Sequence, residues 1–237
     1  MDRCNNLDLL INGEPLTAYG GKTLLDYSIG PTPMDSAVYQ GVNRTNWTLL
    51  KNFFGLRPVT LTIVYAAPTL HQAKINRSRV NSIFANQCEL FIPGDGFYYT
   101  VYCKDFGTEE RIGEGDGEAK IKSTYSFEGI RHGEFKSVTI PAGGSVWCDG
   151  TMPYTACRLT VTVEVPQLDD YILGGAAFSN VLDGDVLCFD GITGAVTKNG
   201  QNYANKTQWV HFPALVPGEN VIESSDPVLV EFAPAYI

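Results

Sequence analysis

The sequence predicts a mainly β protein built from two domains. Of its 237 residues, 44% are hydrophobic, 11% aromatic and only 18% charged. This balance excludes an intrinsically disordered chain, which would be poor in apolar residues and rich in charge. The 24 glycines and 13 prolines are scattered along the chain, as many short strands joined by many turns require. The length suits two domains of about 100–130 residues. We therefore expect an N-terminal β-sandwich with one α-helix over residues 1–131 and an all-β sandwich or jelly roll over residues 132–237.

The first half contains a few strongly patterned segments. Val59–Tyr65 is rich in β-branched residues and alternates apolar with polar positions, which predicts a strand. The one good helix candidate covers residues 69–84, whose apolar side chains fall roughly on one side. Cys88–Ile92 and Phe97–Cys103 flank a Pro-Gly-Asp-Gly turn, and this arrangement predicts a hairpin.

Two segments of the first half lack such a pattern. Residues 14–57 hold few periodic runs and are expected to form strands linked by extended loops. Residues 107–118 are glycine-rich and acidic, and we expect them to be a mobile hairpin tip leading into a strand at Ala119–Phe127. They lack the residue order of an EF-hand calcium loop, so a metal role is not indicated.

The chain changes character around Glu128–Glu134, and we place the domain boundary there. The segments beyond it that favour strands are short and are separated by turn dipeptides such as Asp-Gly and Asn-Gly. They are residues 135–140, 146–148, 154–165, 184–189, 195–198, 208–212 and 228–232. No second helix is expected, and such a series of short strands is typical of a sandwich or jelly roll.

Charge differs strongly between the two halves. The whole chain carries −9, of which residues 1–131 contribute −1 and residues 132–237 contribute −8. A negative surface repels phosphate backbones and anionic lipid headgroups. An ordinary nucleic-acid binder or membrane-surface binder is therefore excluded, and two domains with different roles are expected.

Compartment and cysteine chemistry follow from simple patterns. No run approaches the ~18 apolar residues of a membrane-spanning helix, and the polar N-terminus lacks the order of a secretory signal. We expect a product that folds in a cytoplasm without membrane insertion.

The cysteines are widely spaced, and no Cys-x-x-Cys pair indicates a zinc site or a redox motif. We expect buried free thiols, with a disulfide as the alternative; the six are Cys4, Cys88, Cys103, Cys148, Cys157 and Cys188.

No catalytic set can be assembled from the sequence. The three histidines are His71 in the predicted helix, His132 in the boundary turn and His211 in a predicted strand, and none lies beside a nucleophile. The motifs of serine hydrolases, zinc proteases and phosphate-binding loops are absent. A glycosidase-type carboxylate pair remains open in principle, but none stands out. We expect no enzyme and no cofactor.

Three other groups of residues invite a functional interpretation, and each has a simpler one. Asp183, Asp185 and Asp190 could form a cation site but fit turns between strands better. Four aromatic residues could stack on sugar rings, although core packing is favoured for the first and last of them; they are Trp147, Tyr154, Tyr203 and Trp209. The glycosylation sequons carry no weight without a secretory signal; they lie at Asn43, Asn46, Asn76 and Asn205. We therefore assign no catalytic, cofactor-binding or metal residue.

The distal half resembles a known family. Residues 184–200, GDVLCFDGITGAVTKNG, and residues 212–222, FPALVPGENVI, are similar to a signature of the distal tail proteins of phages with long, non-contractile tails. The shared order is a strand, an Asp-Gly turn, a strand, an Asn-Gly turn, the Phe-Pro segment and a last apolar strand.

The first half is similar to the same family more loosely. Arg57-Pro58 before the Val59–Tyr65 strand, the helix of residues 69–84 and the hairpin ending at Phe97-Tyr98-Tyr99 follow the order of the family's ring-forming domain. Residues 232–236 depart from the family, because they lack the basic residues expected near such an ending.

The resemblance implies a structural virion protein without enzymatic activity. Six copies would form a ring at the distal end of the tail, linking the tail tube to the tail tip or baseplate. The N-terminal domains would form the ring, while galectin-like C-terminal domains project from it near receptor-binding proteins. Its implied partners are itself, the tail tube protein and the tail-tip protein. DNA would pass through the lumen without specific binding, and assembly would take place in the host cytoplasm. Residues 14–57 are the candidate bridging arm between subunits.

A second class of function stays open. A carbohydrate-binding module or adhesin can be built on the same kind of β-sandwich. It would carry an exposed strip of aromatic residues and would bind as an isolated monomer, whereas a ring protein would self-associate. The mass of the purified protein in solution separates the two hypotheses.

Overall fold

The computed structural model describes residues 9–40, 47–115, 117–164 and 170–237. Tertiary contacts divide the chain into two compact units, Met1–Arg131 with Ile237 (unit 1) and His132–Tyr236 (unit 2). Both are built mainly from antiparallel strands, and the described ranges contain one α-helix. The predicted mainly β fold with one helix is therefore confirmed. None of the helical segments in these ranges has the length and apolarity needed to span a bilayer.

Unit 1 is organised around one large sheet with the order β2-β1-β7-β8-β10-β6-β3, and β9 also pairs with β10. Its helical segments are a 3-10 helix, Leu16–Tyr19, and the α-helix α1, Leu70–Phe84. Its strands are β1 (Leu10–Ile11), β2 (Glu14–Pro15), β3 (Thr23–Ile29), β4 (Met34–Gln40), β5 (Trp47–Phe54), β6 (Arg57–Ala67), β7 (Cys88–Ile92), β8 (Phe97–Asp105), β9 (Glu109–Gly115) and β10 (Glu118–His132).

The core of unit 1 lies between this sheet and α1. The alternation predicted for Val59–Tyr65 buries Leu61, Ile63 and Tyr65 of β6, because successive strand residues point to opposite sides. Thr69 caps α1 by accepting a hydrogen bond from the Gln72 amide at 3.2 Å, and Phe84 at the other end packs edge-on against Tyr125 and Phe127 of β10. The helix and the central strands are thus fixed by the pattern that predicts them.

The acidic segment 107–118 differs from its prediction. We expected a mobile tip, but Glu109–Gly115 forms β9 and pairs with β10. Glu109 lies 3.1 Å from the Lys74 ammonium and Glu110 lies 3.0 Å from that of Lys122. These ion pairs and the edge of the long β10 offset the poor strand propensity of glycine and glutamate. The prediction was therefore wrong for most of this segment.

Unit 2 contains three groups of paired strands and a short 3-10 helix, Ala204–Lys206. The sheet orders are β11-β22-β13-β16-β17-β18 with β20 on β13, then β12-β21, and β14-β15-β19. Its strands are β11 (Lys136–Ile140), β12 (Ser145–Cys148), β13 (Thr155–Thr162), β14 (Tyr171–Leu173), β15 (Ala176–Phe178), β16 (Val186–Asp190), β17 (Ala195–Lys198), β18 (Gln201–Asn202), β19 (Thr207–Gln208), β20 (Ala214–Leu215), β21 (Gly218–Val221), β22 (Val228–Phe232) and β23 (Ala235–Tyr236).

All three groups of strands contribute to one hydrophobic core, for example through Val146, Tyr171 and Leu159. The predicted Asn-Gly turn joins β17 to β18, and Asn199 and Gly200 both have positive φ, at 50° and 74°. Such φ values are those of the tight hairpin turns that this dipeptide favours. The turn prediction is confirmed.

The predicted strand at 208–212 is largely wrong. Only Thr207–Gln208 is a strand, and the chain then leaves regular structure. Trp209 and Phe212 both pack on Phe189, with ring centroids 6.2 and 5.6 Å from it. Residues three apart cannot point the same way in a strand with a period of two, so packing of these rings excludes the strand.

Candidate assembly interface

The antiparallel strands Met34–Gln40 and Trp47–Phe54 form a sheet of their own, which we call the arm. Its strands, β4 and β5, pair from Met34 opposite Phe54 to Gln40 opposite Trp47, with a register shift after Ala37. Neither strand pairs with another strand of the described ranges. Because an isolated two-stranded ribbon is marginally stable in water, the arm requires contacts beyond its own hydrogen bonds.

The arm exposes apolar side chains on both of its sides. Val38 and Tyr39 are consecutive residues beyond the register shift and therefore point in opposite directions, yet both are exposed. Charge is sparse, since Asp35 and Lys51 are the charged residues of the two strands, and the Lys51 ammonium lies 5.2 Å from the centre of the Phe53 ring. A contiguous apolar surface of this kind is typical of an interaction site. The exposed apolar residues of the arm are Met34 (55%), Val38 (56%), Tyr39 (59%), Leu49 (46%), Leu50 (65%) and Phe53 (52%).

The two ends of the arm are joined at its root by backbone hydrogen bonds. The Gly30 amide donates to the Pro58 carbonyl at 2.9 Å, and the Gly55 amide donates to the Pro33 carbonyl at 2.8 Å. A Cβ atom on Gly30 would lie 2.6 Å from Cγ of Pro58, so a larger residue at that position would push the root apart. The arm therefore leaves unit 1 from a closed, narrow base.

Arg57, at the start of β6, binds the segment between β3 and β4 that leads into the arm. Its side chain is buried, and its guanidinium donates at 2.9 Å to both the Gly30 carbonyl and Oγ1 of Thr32. Burial lowers the pKa of Arg57, and the neighbouring Arg131 lowers it further. A buried guanidinium with few anionic neighbours is costly, so its position at the root is consistent with a role in holding the arm.

The three histidines do not come together in a site. His71 is exposed on α1 and His211 is exposed in unit 2. His132 is buried, with Nδ1 2.9 Å from the Gly133 carbonyl. No group of three or more histidine, cysteine or acidic residues within the described ranges could hold a metal ion.

The aspartates of unit 2 bind the protein's own turns. Asp190 accepts hydrogen bonds from the Ile192 amide at 2.8 Å, the Thr193 hydroxyl at 2.7 Å and Nε of Arg158 at 2.9 Å. Burial alone would raise the pKa of Asp190, but these donors outweigh it and the pKa is lowered. Asp185 is similarly bound by Lys198 at 2.7 Å. Both carboxylates thus accept hydrogen bonds within or beside the turns that the sequence predicts, Asp185 from the Leu182 amide and Asp190 from the Ile192 amide.

The aromatic residues of unit 2 divide into core and surface residues. Trp209 packs against the core, as predicted, and the Tyr203 hydroxyl donates to the Ser179 carbonyl at 2.9 Å. Trp147 and Tyr154 are each 67% exposed. The prediction of core packing was wrong for Trp147, because its strand neighbours Val146 and Cys148 point inward and place it outward.

The remaining candidates make no additional site. Cys88 and Cys157 are free and buried, and burial raises the pKa of each to about 12, which leaves them poor nucleophiles. Asn76 of α1 accepts a hydrogen bond from Gln72. Cys4 and the sequons at Asn43 and Asn46 lie outside the described residues.

The sequence analysis predicts a bridging arm over the wider range 14–57, and that bridging role stays a prediction. Residues 14–29 belong instead to the sheet and core of unit 1, and the root of the arm was not predicted. The run Leu49–Phe54 contains two apolar pairs around Lys51-Asn52, and this lack of alternation is the signal that both sides are apolar. Arg57-Pro58 contributes to the family resemblance, but the contacts of Arg57 could not be predicted, because its partners Gly30 and Thr32 precede it by more than twenty residues.

No protein-family model matches the sequence, and neither does any curated protein. Among solved structures, the phage P2 baseplate in its activated conformation with Ca aligns at 9% identity with a TM-score of 0.43, covering 87% of this chain and 90% of that chain. This score is below the level at which a shared fold can be inferred.

The Dit protein of phage SPP1 aligns far better. It is described as a paradigm of the hub adsorption apparatus in phages that infect Gram-positive bacteria. The alignment has a TM-score of 0.66 at 11% identity and covers 98% of this chain and 100% of that one. At this identity the likeness is one of fold, and it agrees with the resemblance seen in the sequence: over nearly its whole length, this chain has the fold of a phage Dit hub protein.

Proposed function

We infer that this protein is a structural component of a phage tail and acts as its distal hub. In this proposal unit 1 forms a ring of six copies that links the tail tube to the tail tip or baseplate. Unit 2, as a galectin-like sandwich, projects from the ring near the receptor-binding proteins. The protein would be part of the virion after assembly in the host cytoplasm, and no catalytic step is assigned to it.

The arm is the observation that carries this proposal. A closed ring requires two different patches on each subunit that meet head to tail. An apolar ribbon with both sides exposed is suited to lie across a neighbouring copy, because burial there removes its apolar surface from water. Residues 34–54 lie within the segment for which the sequence predicts a bridging role.

The charge distribution supports the same division of roles. Residues 1–131 are nearly neutral, so six copies can approach without strong repulsion, whereas residues 132–237 carry −8 and favour separation in solvent. The absence of a net positive charge in residues 1–131 also suits a ring around DNA, because a basic lumen would retain the phosphates. The lumen would therefore let DNA pass without specific binding.

The direct test is the assembly state of the full-length protein. We expect native mass spectrometry to give a hexamer at micromolar concentration and negative-stain microscopy to reveal a ring with a central opening. An interface driven by apolar burial should persist in 0.5–1 M salt (about a 3–4 Å screening length), where contacts made by exposed charges are screened. A protein that stays monomeric under these conditions would contradict the proposal.

The alternative function is a carbohydrate-binding module, and the exposure of Trp147 and Tyr154 favours it. Exposed rings on a β surface can stack on sugars. Binding of an oligosaccharide by a monomer, with loss of binding in Trp147→Ala and Tyr154→Ala, would support the alternative against the hub.

A further inference from the structure

Unit 2 contains a groove that the proposed ring does not use. Its volume is about 460 Å³, within the range of ligand-binding clefts. One wall is β21 and the other is the segment 210–214, which is irregular until it enters β20 at Ala214. The floor is apolar and formed by Cys157, Leu159 and Ile222. Val210, in the opposite wall, is 85% exposed.

The wall formed by β21 presents a strand edge with open hydrogen-bonding groups. β21 pairs with β12, and the Ile222 amide donates a hydrogen bond to the Gly144 carbonyl. The backbone amides and carbonyls of the even-numbered residues 218, 220 and 222 therefore point toward β12. In an antiparallel ladder the intervening residues turn their amides and carbonyls to the opposite edge, as the bond from the Gly174 amide to the Glu223 carbonyl confirms. The amides and carbonyls of Glu219 and Val221 therefore face away from β12, and no backbone hydrogen bond reaches them from the described residues.

Side-chain positions along β21 suit an extended occupant. Ile222 points into the floor, while Val221 is 73% exposed at the mouth. Of the polar side chains that line the groove, Asn220 is already bonded to the backbone of Val216 and Gly218 at 2.8–2.9 Å, which leaves His211 and Glu223. The groove thus offers backbone pairing and an apolar floor, with two further polar side chains in its lining.

The electrostatics of the groove select a basic occupant. Glu223 lines it and Glu219 lies beside it on β21; His211 is the other titratable lining residue, and no lysine or arginine is among the lining residues that the structure describes. The half of the chain that contains it carries −8. A second copy of the same acidic unit would be repelled, and a segment with lysine or arginine side chains would be attracted.

We propose that this groove binds an extended segment of another polypeptide by strand addition to β21. The segment would pair its backbone with Glu219 and Val221, place apolar side chains on the floor of Cys157, Leu159 and Ile222, and turn basic side chains toward the acidic rim. Main-chain pairing gives affinity and alternate side chains give specificity in this mode of recognition.

The test uses the full-length protein and a synthetic probe, the peptide acetyl-Val-Lys-Val-Lys-Val-Lys-amide. We expect saturable binding by calorimetry at one peptide per chain, with slower hydrogen–deuterium exchange in residues 218–223. Methylating two backbone nitrogens of the peptide removes two hydrogen bonds and should weaken binding by about five- to hundredfold. Replacing its lysines by glutamate should abolish binding.

Matched protein variants locate the binding. Val210→Lys changes an exposed wall residue and should weaken binding of the lysine peptide at least about tenfold, whereas Leu182→Lys, at a residue that is 68% exposed outside the groove, should leave it unchanged. Equal binding of the methylated peptide, unchanged exchange in residues 218–223 or equal effects of the two variants would overturn the proposal. Failure of the lysine peptide to bind at millimolar concentration would also overturn the proposal. The same holds if an oligosaccharide binds to the protein and Val210→Lys abolishes that binding.

Discussion

Replacing Leu50 and Phe53 together by aspartate should disperse the proposed ring into monomers. Both residues lie on β5 of the arm and are exposed, at 65% and 52%. Because the side chains of Leu50 and Phe53 are largely exposed in the single subunit, the change should leave the fold of unit 1 intact. The effect is therefore expected on assembly and not on folding.

The size of the effect follows from their exposed fractions. Burying a fully exposed leucine or phenylalanine contributes about 1.5–3 kcal/mol. Scaled by their exposures, Leu50 and Phe53 can contribute about 2–3.5 kcal/mol to each subunit contact. Their loss corresponds to a weakening of about 25- to 300-fold per contact, and desolvation of two carboxylates adds to it.

The assay is light scattering coupled to size-exclusion chromatography over a range of protein concentrations. Circular dichroism and thermal melting report whether the fold is kept. The matched control is Leu182→Asp with Tyr154→Asp, a leucine and an aromatic residue of unit 2 that are 68% and 67% exposed. If the arm variant assembles at the same concentration as the unchanged protein, or the control also disperses, the arm is not the subunit contact.

Three further predictions concern stability and the division of roles. Asp190 has a lowered pKa, so its ionised form stabilises the fold at neutral pH; this contribution is lost as the pH falls below about 4. Asp190→Asn should lower the melting temperature at pH 7 and flatten its acid dependence. Tyr125 donates to Asn81 and accepts from Tyr65, with a 2.7 Å contact between the two hydroxyls. Tyr65→Phe should cost about 1 kcal/mol in urea unfolding, and Tyr125→Phe, which strands a buried hydroxyl, about 1–3 kcal/mol; equal costs would contradict this assignment. A fragment of residues 1–131 should self-associate and one of residues 132–237 should be monomeric by light scattering, and the opposite result would reverse the two roles.

The parts of the fold that could be predicted are those with one dominant period. Val59–Tyr65 alternates and is buried on one side, and residues 70–84 carry Ala73, Val80 and Phe84 at helical spacing. In both segments the sequence pattern and the tertiary environment require the same structure. Local information was sufficient there.

Local information failed where distant residues decide the structure. The sequence Val146-Trp147-Cys148 is apolar throughout. The sequence alone therefore does not show which of these side chains point into the core; the pairing with β21 is needed to decide it. Strand β9 exists because pairing with β10 and ion pairs with Lys122 of β10 and Lys74 of α1 stabilise a glycine-rich, acidic segment. The root of the arm could not be predicted for the same reason, because the residues that bond to each other there are separated in sequence by the arm itself.

The pairing of β11 with β22 has a consequence for how the protein is made. Ile140 lies opposite Val228 in the same sheet, and β22 lies between β11 and β13. A ribosome adding about 5–20 residues per second needs roughly 5–20 s to produce the ~90 residues that separate these partners. During that time unit 1 already has every strand of its sheet up to β10, whereas unit 2 has a gap at the middle of its largest sheet. Translation therefore delivers the surface proposed for assembly first and completes unit 2 last. A chain interrupted before β22 would keep its arm while the core of unit 2 stays open to proteases.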